Sequence, residues 1–361
     1  MIYEDFAEGL FELTARCTLF DTGPLETVVI INPRAGGFTH KTRLQQAFRD
    51  LAACRNEAMA LPPAAHSQFS TRLLLTMEAK HAGRMADELA EIAALHQDTQ
   101  YLVIIASGDG TSLEFLDQLS RVDDEFRRRV CVLRLPMGTG NDGSDGRQLR
   151  DSLSRLCGKG SIAEQSALRV FPASGGPASK RARDGFWSAF NIASIGLDAF
   201  VTHKTNELKS KLPGNSYKMW VDVASIFYDR VYPVLDMTIT ADLKQQNAWQ
   251  GQFLLCAMGV SGRRTYGANK PILPDSDNVC AIRQMPLLRK LQLKDPITRG
   301  EHRKFPEALF CSASRLEIAY SGKLLVQMDG EAELLLPADF PLIMEKTGPL
   351  IRHLARKADS E

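Results

Sequence analysis

The chain has 361 residues, more than one hydrophobic core usually serves, and its mixed composition is typical of a globular protein with two domains. Its 44 lysine and arginine residues nearly balance 43 aspartate and glutamate residues, and the net charge of +1 argues against a binder of nucleic acid. The seven cysteines are scattered singly without CxxC spacing, so they are interpreted as reduced core residues rather than zinc ligands.

The N-terminus lacks the features of a targeting segment. Glu4, Asp5 and Glu8 stand where a signal peptide would be basic and then apolar. No apolar run approaches the roughly 18 residues that a membrane span requires. We therefore expect a cytoplasmic protein without a transmembrane segment.

The first candidate motif follows Thr27 to Ile31, a run whose length and β-branching predict a buried strand. Asn32 to Gly37 (NPRAGG) then predicts a turn that leads into a helix. A strand, a glycine turn and a helix expose backbone N–H groups, which bind phosphate with the help of the helix dipole. An ordinary turn between a strand and a helix would need the same glycines, so that interpretation stays open.

Strands and helices alternate through the next hundred residues. Leu44, Phe48 and Leu51 recur at helical spacing, and the apolar run Arg72 to Leu75 predicts the next strand. This alternation predicts βαβ units in a parallel sheet, which gathers its loops at one edge. Thr76 follows its strand and is expected at that edge.

The second motif, Ser107 to Glu114 (SGDGTSLE), follows the predicted strand Tyr101 to Ala106. Thr111 and Glu114 fit a T-x-x-E capping box, which predicts a helix that begins at Thr111. Asp109 would then lie in a turn at the C-terminal end of a strand, where open α/β sheets place ligands and a carboxylate can reach a metal. The alternative interpretation makes Asp109 an ordinary turn residue and Glu114 only a cap.

The third motif, Pro136 to Asp142 (PMGTGND), follows the predicted strand Val130 to Leu135. Its glycines and Thr139 offer a backbone cradle with a hydroxyl group, while Asn141 and Asp142 offer polar ligands. No GxxxxGK[ST] pattern accompanies the three motifs, which argues against a P-loop fold.

Beyond about Ala163 the pattern changes to short apolar strands separated by glycine, proline and charged turns, which predicts an antiparallel β domain. A helix with an apolar stripe from Met219 to Phe227 is expected to interrupt it. Lys323 to Met328 is predicted as a strand that ends in the turn Asp329 to Glu331 (DGE). Such an acidic turn offers two candidate proton acceptors, although solvated turns of this composition are common.

Together, NPxxG, GDGT followed by Glu, and PMGTGND resemble the diacylglycerol kinase catalytic domain family, which includes sphingosine kinases and bacterial lipid kinases. The resemblance runs from about Val28 to beyond Glu331. Four later segments resemble family landmarks in the expected order, namely Asn191 to Ala199 (NIASIGLDA), Ile272 to Val279 (ILPDSDNV), Arg299 to Lys304 (RGEHRK) and Gln327 to Glu331 (QMDGE).

The resemblance implies a fold in two domains. Residues 1–163 are expected to form an α/β nucleotide-binding domain with a parallel sheet, similar to phosphofructokinases and NAD kinases, in which 1–26 are an N-terminal extension. Residues 164–336 are expected to form a mainly antiparallel β-sandwich domain that receives a lipid. Residues 337–361 are expected to return to the first domain, and a homodimer is compatible with the sequence.

The resemblance also implies an ATP-dependent lipid kinase that phosphorylates diacylglycerol or a related lipid at the inner face of a membrane, with ATP and Mg²⁺ as cofactors. Glu331 is the favoured proton acceptor and Asp109 the runner-up. Asp142 is expected to help hold magnesium, and Asp277 and Asp275 resemble a structural magnesium site. The expected nucleotide-binding residues are Asn32, Pro33, Arg34, Gly36, Thr76, Gly108, Asp109, Gly110, Thr111, Glu114, Gly138, Thr139 and Asn141.

Four positions depart from the family pattern, namely Ala35, Ser107, Leu113 and Asn278. Ala35 and Leu113 each remove a polar group that would meet phosphate or order water. Two other functions stay open. One is an NAD-kinase-like enzyme, because GDGT is shared with that family, and the other is a non-catalytic protein that binds nucleotide or lipid.

Overall fold

The computed structural model describes residues 2–20, 23–138, 141–173, 175–209, 228–243, 248–266 and 270–357. The chain divides into two compact units. The first unit comprises Met1–Gln165 and Pro349–Glu361, and the second comprises Ser166–Gly348.

The first unit alternates strands and helices as its sequence predicts. Its elements in chain order are α1 (Ile2–Thr14), β1 (Leu25–Ile31), α2 (Gly36–Thr39), α3 (Lys41–Met59), β2 (Phe69–Leu75), α4 (His81–Ala93), β3 (Gln100–Ser107), α5 (Asp109–Leu119), α6 (Asp124–Arg129), β4 (Val130–Pro136) and α7 (Leu149–Ser154). The strand β5 (Gly160–Pro172) then leads into the second unit. Strands β1 to β4 form a parallel sheet in the order β4–β3–β1–β2. Their carboxyl ends therefore meet at one edge, which is where the three motifs follow their strands.

Helix α1 belongs to the core of the first unit, although the sequence suggested only an extension over residues 1–26. Phe6, Leu10 and Leu13 are fully buried, and the ring of Phe6 packs edge-on against Phe38. Helix α1 also packs closely against α3, because a Cβ atom added to Gly9 would lie 2.6 Å from the side chain of Leu51. Residues 2–14 are thus a packed structural element.

The second unit is built from antiparallel strands. Its elements in chain order are β6 (Trp187–Ala189), β7 (Ile192–Gly196), α8 (Leu197–Lys209), α9 (Tyr228–Val231), β8 (Asp236–Ala241), β9 (Ala248–Gly259), β10 (Arg264–Tyr266), β11 (Lys270–Leu273), β12 (Val279–Arg283), α10 (Leu287–Thr298), β13 (Ala308–Cys311), β14 (Arg315–Tyr320), β15 (Leu324–Met328), β16 (Glu331–Leu335) and β17 (Leu342–Arg356). Antiparallel pairs link β16–β15–β7–β9–β8–β14–β17, and β12 and β13 extend from β9. The predicted fold class, a parallel α/β domain followed by an antiparallel domain, is confirmed.

Strand β17 continues into the first unit, where Arg352 and His353 pair in parallel with Cys131 and Val132 of β4. All seven cysteines are free, as predicted, and all but Cys311 are buried. The predicted helix from Met219 to Phe227 lies outside the described residues. Within the described ranges, no helix is both long and apolar enough to cross a bilayer.

The apolar segment that begins at Phe186 forms two strands in the structure. Strand β6 ends at Ala189 and β7 begins at Ile192. The backbone N–H groups of residues 190–192 donate to the carboxylate of Asp329. The Asp329 side chain therefore satisfies backbone N–H groups that would have paired with a neighbouring strand if β6 and β7 were continuous.

Candidate functional site

The turns after β1, β3 and β4 contact one another at the carboxyl edge of the parallel sheet in the first unit. Nδ2 of Asn32, which follows β1, donates to Oγ1 of Thr111 in the first turn of α5 at 2.9 Å. The N–H of Gly37 donates to the carbonyl of Met137, which follows β4, at 2.7 Å. These hydrogen bonds bring the three predicted motifs together.

The backbones of the second and third turns approach each other closely at Gly108 and Gly138. A Cβ atom added to Gly138 would lie 2.5 Å from Cα of Gly108, a separation that real Cβ atoms essentially never show. A Cβ atom added to Gly37 would lie 2.7 Å from Cε of Met137. A side chain at Gly138 would push the second and third turns apart, so this glycine is required by close backbone packing, whereas one at Gly37 would displace the end of the Met137 side chain.

Helix α5 begins at Asp109, two residues before the predicted start at Thr111. Gly108 is its N-cap, and no side chain caps the helix. The predicted T-x-x-E capping box is therefore wrong, because Oε1 of Glu114 instead accepts the backbone N–H of Lys80 at 2.8 Å. An acidic residue is favourable in the first turn, which explains the earlier start. The end without a side-chain cap leaves backbone N–H groups for an anionic ligand.

The carboxylate of Asp109 holds the third turn in place. Its Oδ1 accepts the N–H of Gly143 at 2.9 Å, and its Oδ2 accepts the N–H of Asp142 at 3.2 Å. Asn141 closes the same turn with φ of +61°, and its Oδ1 accepts the N–H of Gly138 at 2.6 Å. The backbone of Asp142 in the third turn thus lies beside the carboxylate of Asp109 at the start of α5.

The rest of the first motif orders its own backbone. Oδ1 of Asn32 accepts the N–H of Arg34 at 2.9 Å, and the Arg34 side chain is exposed. Pro33 precedes it in the turn, and Gly36 begins α2. Arg34 is therefore a cation beside the glycine turns that solvent can reach.

Two further predicted nucleotide contacts have different outcomes. Thr76 is buried directly after β2, and its N–H donates to the carbonyl of Ile31 at 2.9 Å, which places it at the same edge of the sheet. Thr139 lies outside the described residues.

A buried ion pair that the sequence analysis missed anchors the third turn to β4. Nη2 of Arg134 donates to Oδ1 of Asp145 at 2.7 Å, and each residue is only 6% exposed. Nδ1 of His353 lies 3.3 Å from the same oxygen. Burial opposes ionisation of Asp145, but the charges and hydrogen bonds of Arg134 and His353 together outweigh it and hold the pKa well below its ordinary value of 3.8. Asp145 is therefore an ionised structural residue.

In the second unit, the turn between β15 and β16 carries two carboxylates with different surroundings. The Asp329 carboxylate accepts three successive backbone N–H groups of residues 190–192, and its φ is +47°. Glu331, two residues later, is exposed. Asp329 is therefore committed to the fold, and Glu331 is the carboxylate of this turn that a substrate can reach.

Two side chains hold Gly330, the residue between them. Oε1 of Gln327 accepts its N–H at 3.0 Å, and Nδ2 of Asn206 on α8 donates to its carbonyl at 2.9 Å. Gln327 is buried and also donates to Oγ of Ser194 at 2.9 Å and to Oδ2 of Asp198 at 3.1 Å. This polar network fixes the turn that carries Glu331.

Asp275 and Asp277, the predicted structural magnesium ligands, are paired with Arg303 in the second unit. Nη1 of Arg303 contacts Asp275 and lies 2.7 Å from Oδ2 of Asp277. The hydrogen bond from Arg303 lowers the pKa of Asp277. In the part of the chain that the structure describes, no group of three or more His, Cys, Asp or Glu side chains is arranged to hold a metal.

The second unit also contains a small apolar cavity. Gly196, at the end of β7, lines it together with Tyr228, Met237, Phe253 and Leu255, among others.

The first unit matches a known family. The family model described as the diacylglycerol kinase catalytic domain matches residues 26–159, which include all three glycine motifs. Residues 26–159 are thus similar to a diacylglycerol kinase catalytic domain. The resemblance drawn from the motifs is thereby confirmed.

Curated relatives and solved structures agree with this domain. A diacylglycerol kinase of Staphylococcus carnosus (strain TM300) is 25% identical over 256 residues, which are 68% of this chain and 75% of the relative. A diacylglycerol kinase of Bacillus subtilis (strain 168) is 23% identical over 266 residues, which are 71% and 78% of the two chains.

The fold itself extends over nearly the whole chain. The crystal structure of a diacylglycerol kinase from Bacillus anthracis str. Sterne has a TM-score of 0.56 and 14% identity, and the alignment covers 93% of this chain and 98% of that one. A second structure from the same organism has a TM-score of 0.62 and 18% identity, with coverage of 93% and 96%. At these identities the likeness concerns the fold.

Proposed function

We propose that the protein is an ATP-dependent lipid kinase that transfers the γ-phosphate of ATP to a hydroxyl group of diacylglycerol or a related lipid. The observation that carries this proposal is the contact of three glycine turns beside the N-terminus of α5 in a diacylglycerol kinase catalytic domain. Phosphoryl transfer depends mainly on positioning and charge stabilisation, which such turns provide.

The nucleotide is bound by the first unit. The backbone N–H groups at the start of α5, including that of Gly110, face the negative phosphates with the favourable end of the helix dipole. Arg34 adds a positive charge from the first turn. Asn32 and Thr111 form the hydrogen bond that keeps the first and second turns in register.

Asp109 and Asp142 are the residues that would hold magnesium. The N–H of Asp142 donates to the carboxylate of Asp109, so the two residues are close. Magnesium is bound in proteins by one or two carboxylates together with the phosphate oxygens of the substrate. When bound with ATP, magnesium supplies charge neutralisation at the phosphates.

The acceptor hydroxyl is deprotonated by Glu331. Its oxygen forms a bond to the γ-phosphorus, the bond from that phosphorus to the bridging oxygen of ADP breaks, and the hydroxyl proton passes to the Glu331 carboxylate. Asp109 is less suited to this role because two backbone N–H groups already bind its carboxylate. The lipid would be taken from a membrane surface.

The test is an incubation of the purified protein with γ-labelled ATP, magnesium and vesicles that contain diacylglycerol, followed by identification of the product by mass. Labelled phosphatidate is expected, and parallel reactions with sphingoid lipid and with NAD identify any other acceptor. Label on NAD alone would replace the proposal with an NAD kinase. Vesicle binding without transfer to any acceptor would favour the non-catalytic alternative.

A further inference from the structure

The loop that joins β11 and β12 in the second unit carries two carboxylates, and an arginine from the turn at 302–304 lies between them. Arg303 follows the buried His302, whose Nε2 donates to the carbonyl of Ile272 at 3.0 Å. This bond ties the short turn at 302–304 to β11 and directs Arg303 towards the loop. Nη1 of Arg303 then contacts both Asp275 and Asp277, the latter at 2.7 Å.

The guanidinium is also packed from another direction. Its central carbon lies 5.0 Å from the centre of the Phe310 ring on β13, a distance within the range of cation–π attraction. Arg303 is therefore held by two carboxylates and by an aromatic ring, which is more than an isolated surface ion pair provides.

The oxygen atoms that a hard cation would need have other partners as well. Oδ1 of Asp277 accepts the hydroxyl of Ser312 at 2.9 Å, and Oδ1 of Asp275 accepts the N–H of Asp277 at 3.0 Å. The carbonyl of Asp275 accepts the N–H of Arg263 at 2.6 Å. Protein and guanidinium donors thus satisfy the loop's oxygen atoms from several sides.

A divalent cation does not fit this arrangement. Calcium takes six to eight oxygen ligands at about 2.3–2.6 Å and magnesium six at about 2.0–2.1 Å, whereas this loop presents two carboxylates that a positive group already bridges. A metal at the same place would have to displace Arg303 and would meet its repulsion.

We propose that the guanidinium of Arg303 supplies the positive charge between Asp275 and Asp277 and takes the place of a divalent metal in this loop. The loop should then fold in the absence of metal, and it should respond to calcium or magnesium only when Arg303 has been removed. This inference does not depend on the proposed kinase activity.

The test measures the melting temperature of the full-length protein without nucleotide, in excess chelator and in millimolar calcium or magnesium. The wild type is expected to melt at the same temperature in all three solutions. Arg303→Met retains an apolar stem beside Phe310 but lacks the charge. It should melt lower in chelator and recover part of the loss in calcium, since a metal that binds only the folded state stabilises it by mass action.

Two further variants make the result specific. Lys304→Met removes an exposed cation from the neighbouring position and should show no calcium-dependent shift. Arg303→Met/Asp277→Asn should lose the recovery, because one of the two carboxylates is gone. A metal-independent melting temperature in Arg303→Met would overturn the proposal.

If Arg303→Met does not fold, the melting temperatures of the wild type and of Asp277→Asn test the proposal. A calcium- or magnesium-dependent rise in the wild-type melting temperature that disappears in Asp277→Asn would show a metal in the loop and overturn the proposal. A wild-type melting temperature that does not change with metal or chelator supports it.

Discussion

The two units position their functional groups by different means. In the first unit, the candidate site is made mostly of backbone, and the second and third glycine turns meet because Gly138 has no side chain to keep them apart. In the second unit, side chains do the positioning, and the turn that carries Glu331 is fixed through Gln327 and Asn206. Substitutions should therefore act differently in the two units.

Within the second unit, the surroundings of a carboxylate decide its use. Three backbone N–H groups bind the carboxylate of Asp329, and Arg303 is paired with both Asp275 and Asp277. Glu331 is exposed. Acidic residues in similar-looking motifs thus divide into structural groups and one candidate base.

The largest effect is expected from Glu331→Gln, which retains the size of the side chain but cannot accept a proton. Its kcat for transfer from ATP to lipid should fall about 10²- to 10⁴-fold, the usual contribution of general base catalysis. ATP affinity should be unchanged, because the glycine turns bind the nucleotide. Initial rates at saturating ATP, together with ATP titrations, measure the two quantities.

Glu333→Gln is the matched control, since it makes the same chemical change two residues later on β16. Its known partner is Arg181, and it has no part in the proposed chemistry. Equal losses of activity in Glu331→Gln and Glu333→Gln would mean that the strand, rather than the base, has been damaged.

The next effect concerns stability in the first unit. Asp145→Ala would leave Arg134 buried without its main counter-charge, and it should lower the free energy of unfolding by about 3–5 kcal/mol. Denaturant unfolding measures this loss. The double variant Arg134→Met/Asp145→Ala should recover part of it, because no unpaired charge is then buried.

The pH dependence follows from the depressed pKa of Asp145. A carboxylate with a lowered pKa in the folded state stabilises the protein above its unfolded pKa, near 3.8, and loses that contribution as the pH falls towards the folded value. The stability difference between wild type and Asp145→Ala should be constant near neutral pH and narrow below about pH 4. A difference that widens on acidification would contradict this assignment.

The smallest effect is expected from Asn206→Ala in the second unit. It removes one exposed hydrogen bond to the carbonyl of Gly330, so kcat should fall only about two- to tenfold, with ATP affinity unchanged. Lys204→Ala on the same helix removes an ion pair with Glu207 and leaves the turn untouched. If both variants have the same kcat, Asn206 does not position Glu331.

The sequence predicted the framework of the first unit well, because each motif follows an apolar strand and parallel strands end at one edge. It did not predict that Asp109 would begin α5 or that Glu114 would bind the N–H of Lys80, since both depend on contacts between distant segments. Local capping patterns do not contain that information.

The supporting polar residues were missed for a related reason. Arg134 and Gln327 each stand within an otherwise apolar strand, a pattern that indicates a buried polar partner but does not identify it. Asp145 and Asn206 are ordinary polar residues in sequence and acquire their roles only in the fold. The metal prediction for Asp275 and Asp277 likewise omitted Arg303, which lies more than twenty residues away.

The most direct test of the central claim, that the three glycine turns form one nucleotide site, is a calorimetric titration of ATP into Gly138→Ala. The added methyl group should separate the second and third turns, and overpacking of about 1–3 kcal/mol corresponds to an ATP Kd roughly five- to 150-fold weaker. Gly23→Ala, whose Cβ would meet nothing within 4 Å, should bind ATP as the wild type does. Unchanged ATP affinity in a folded Gly138→Ala protein would contradict the account.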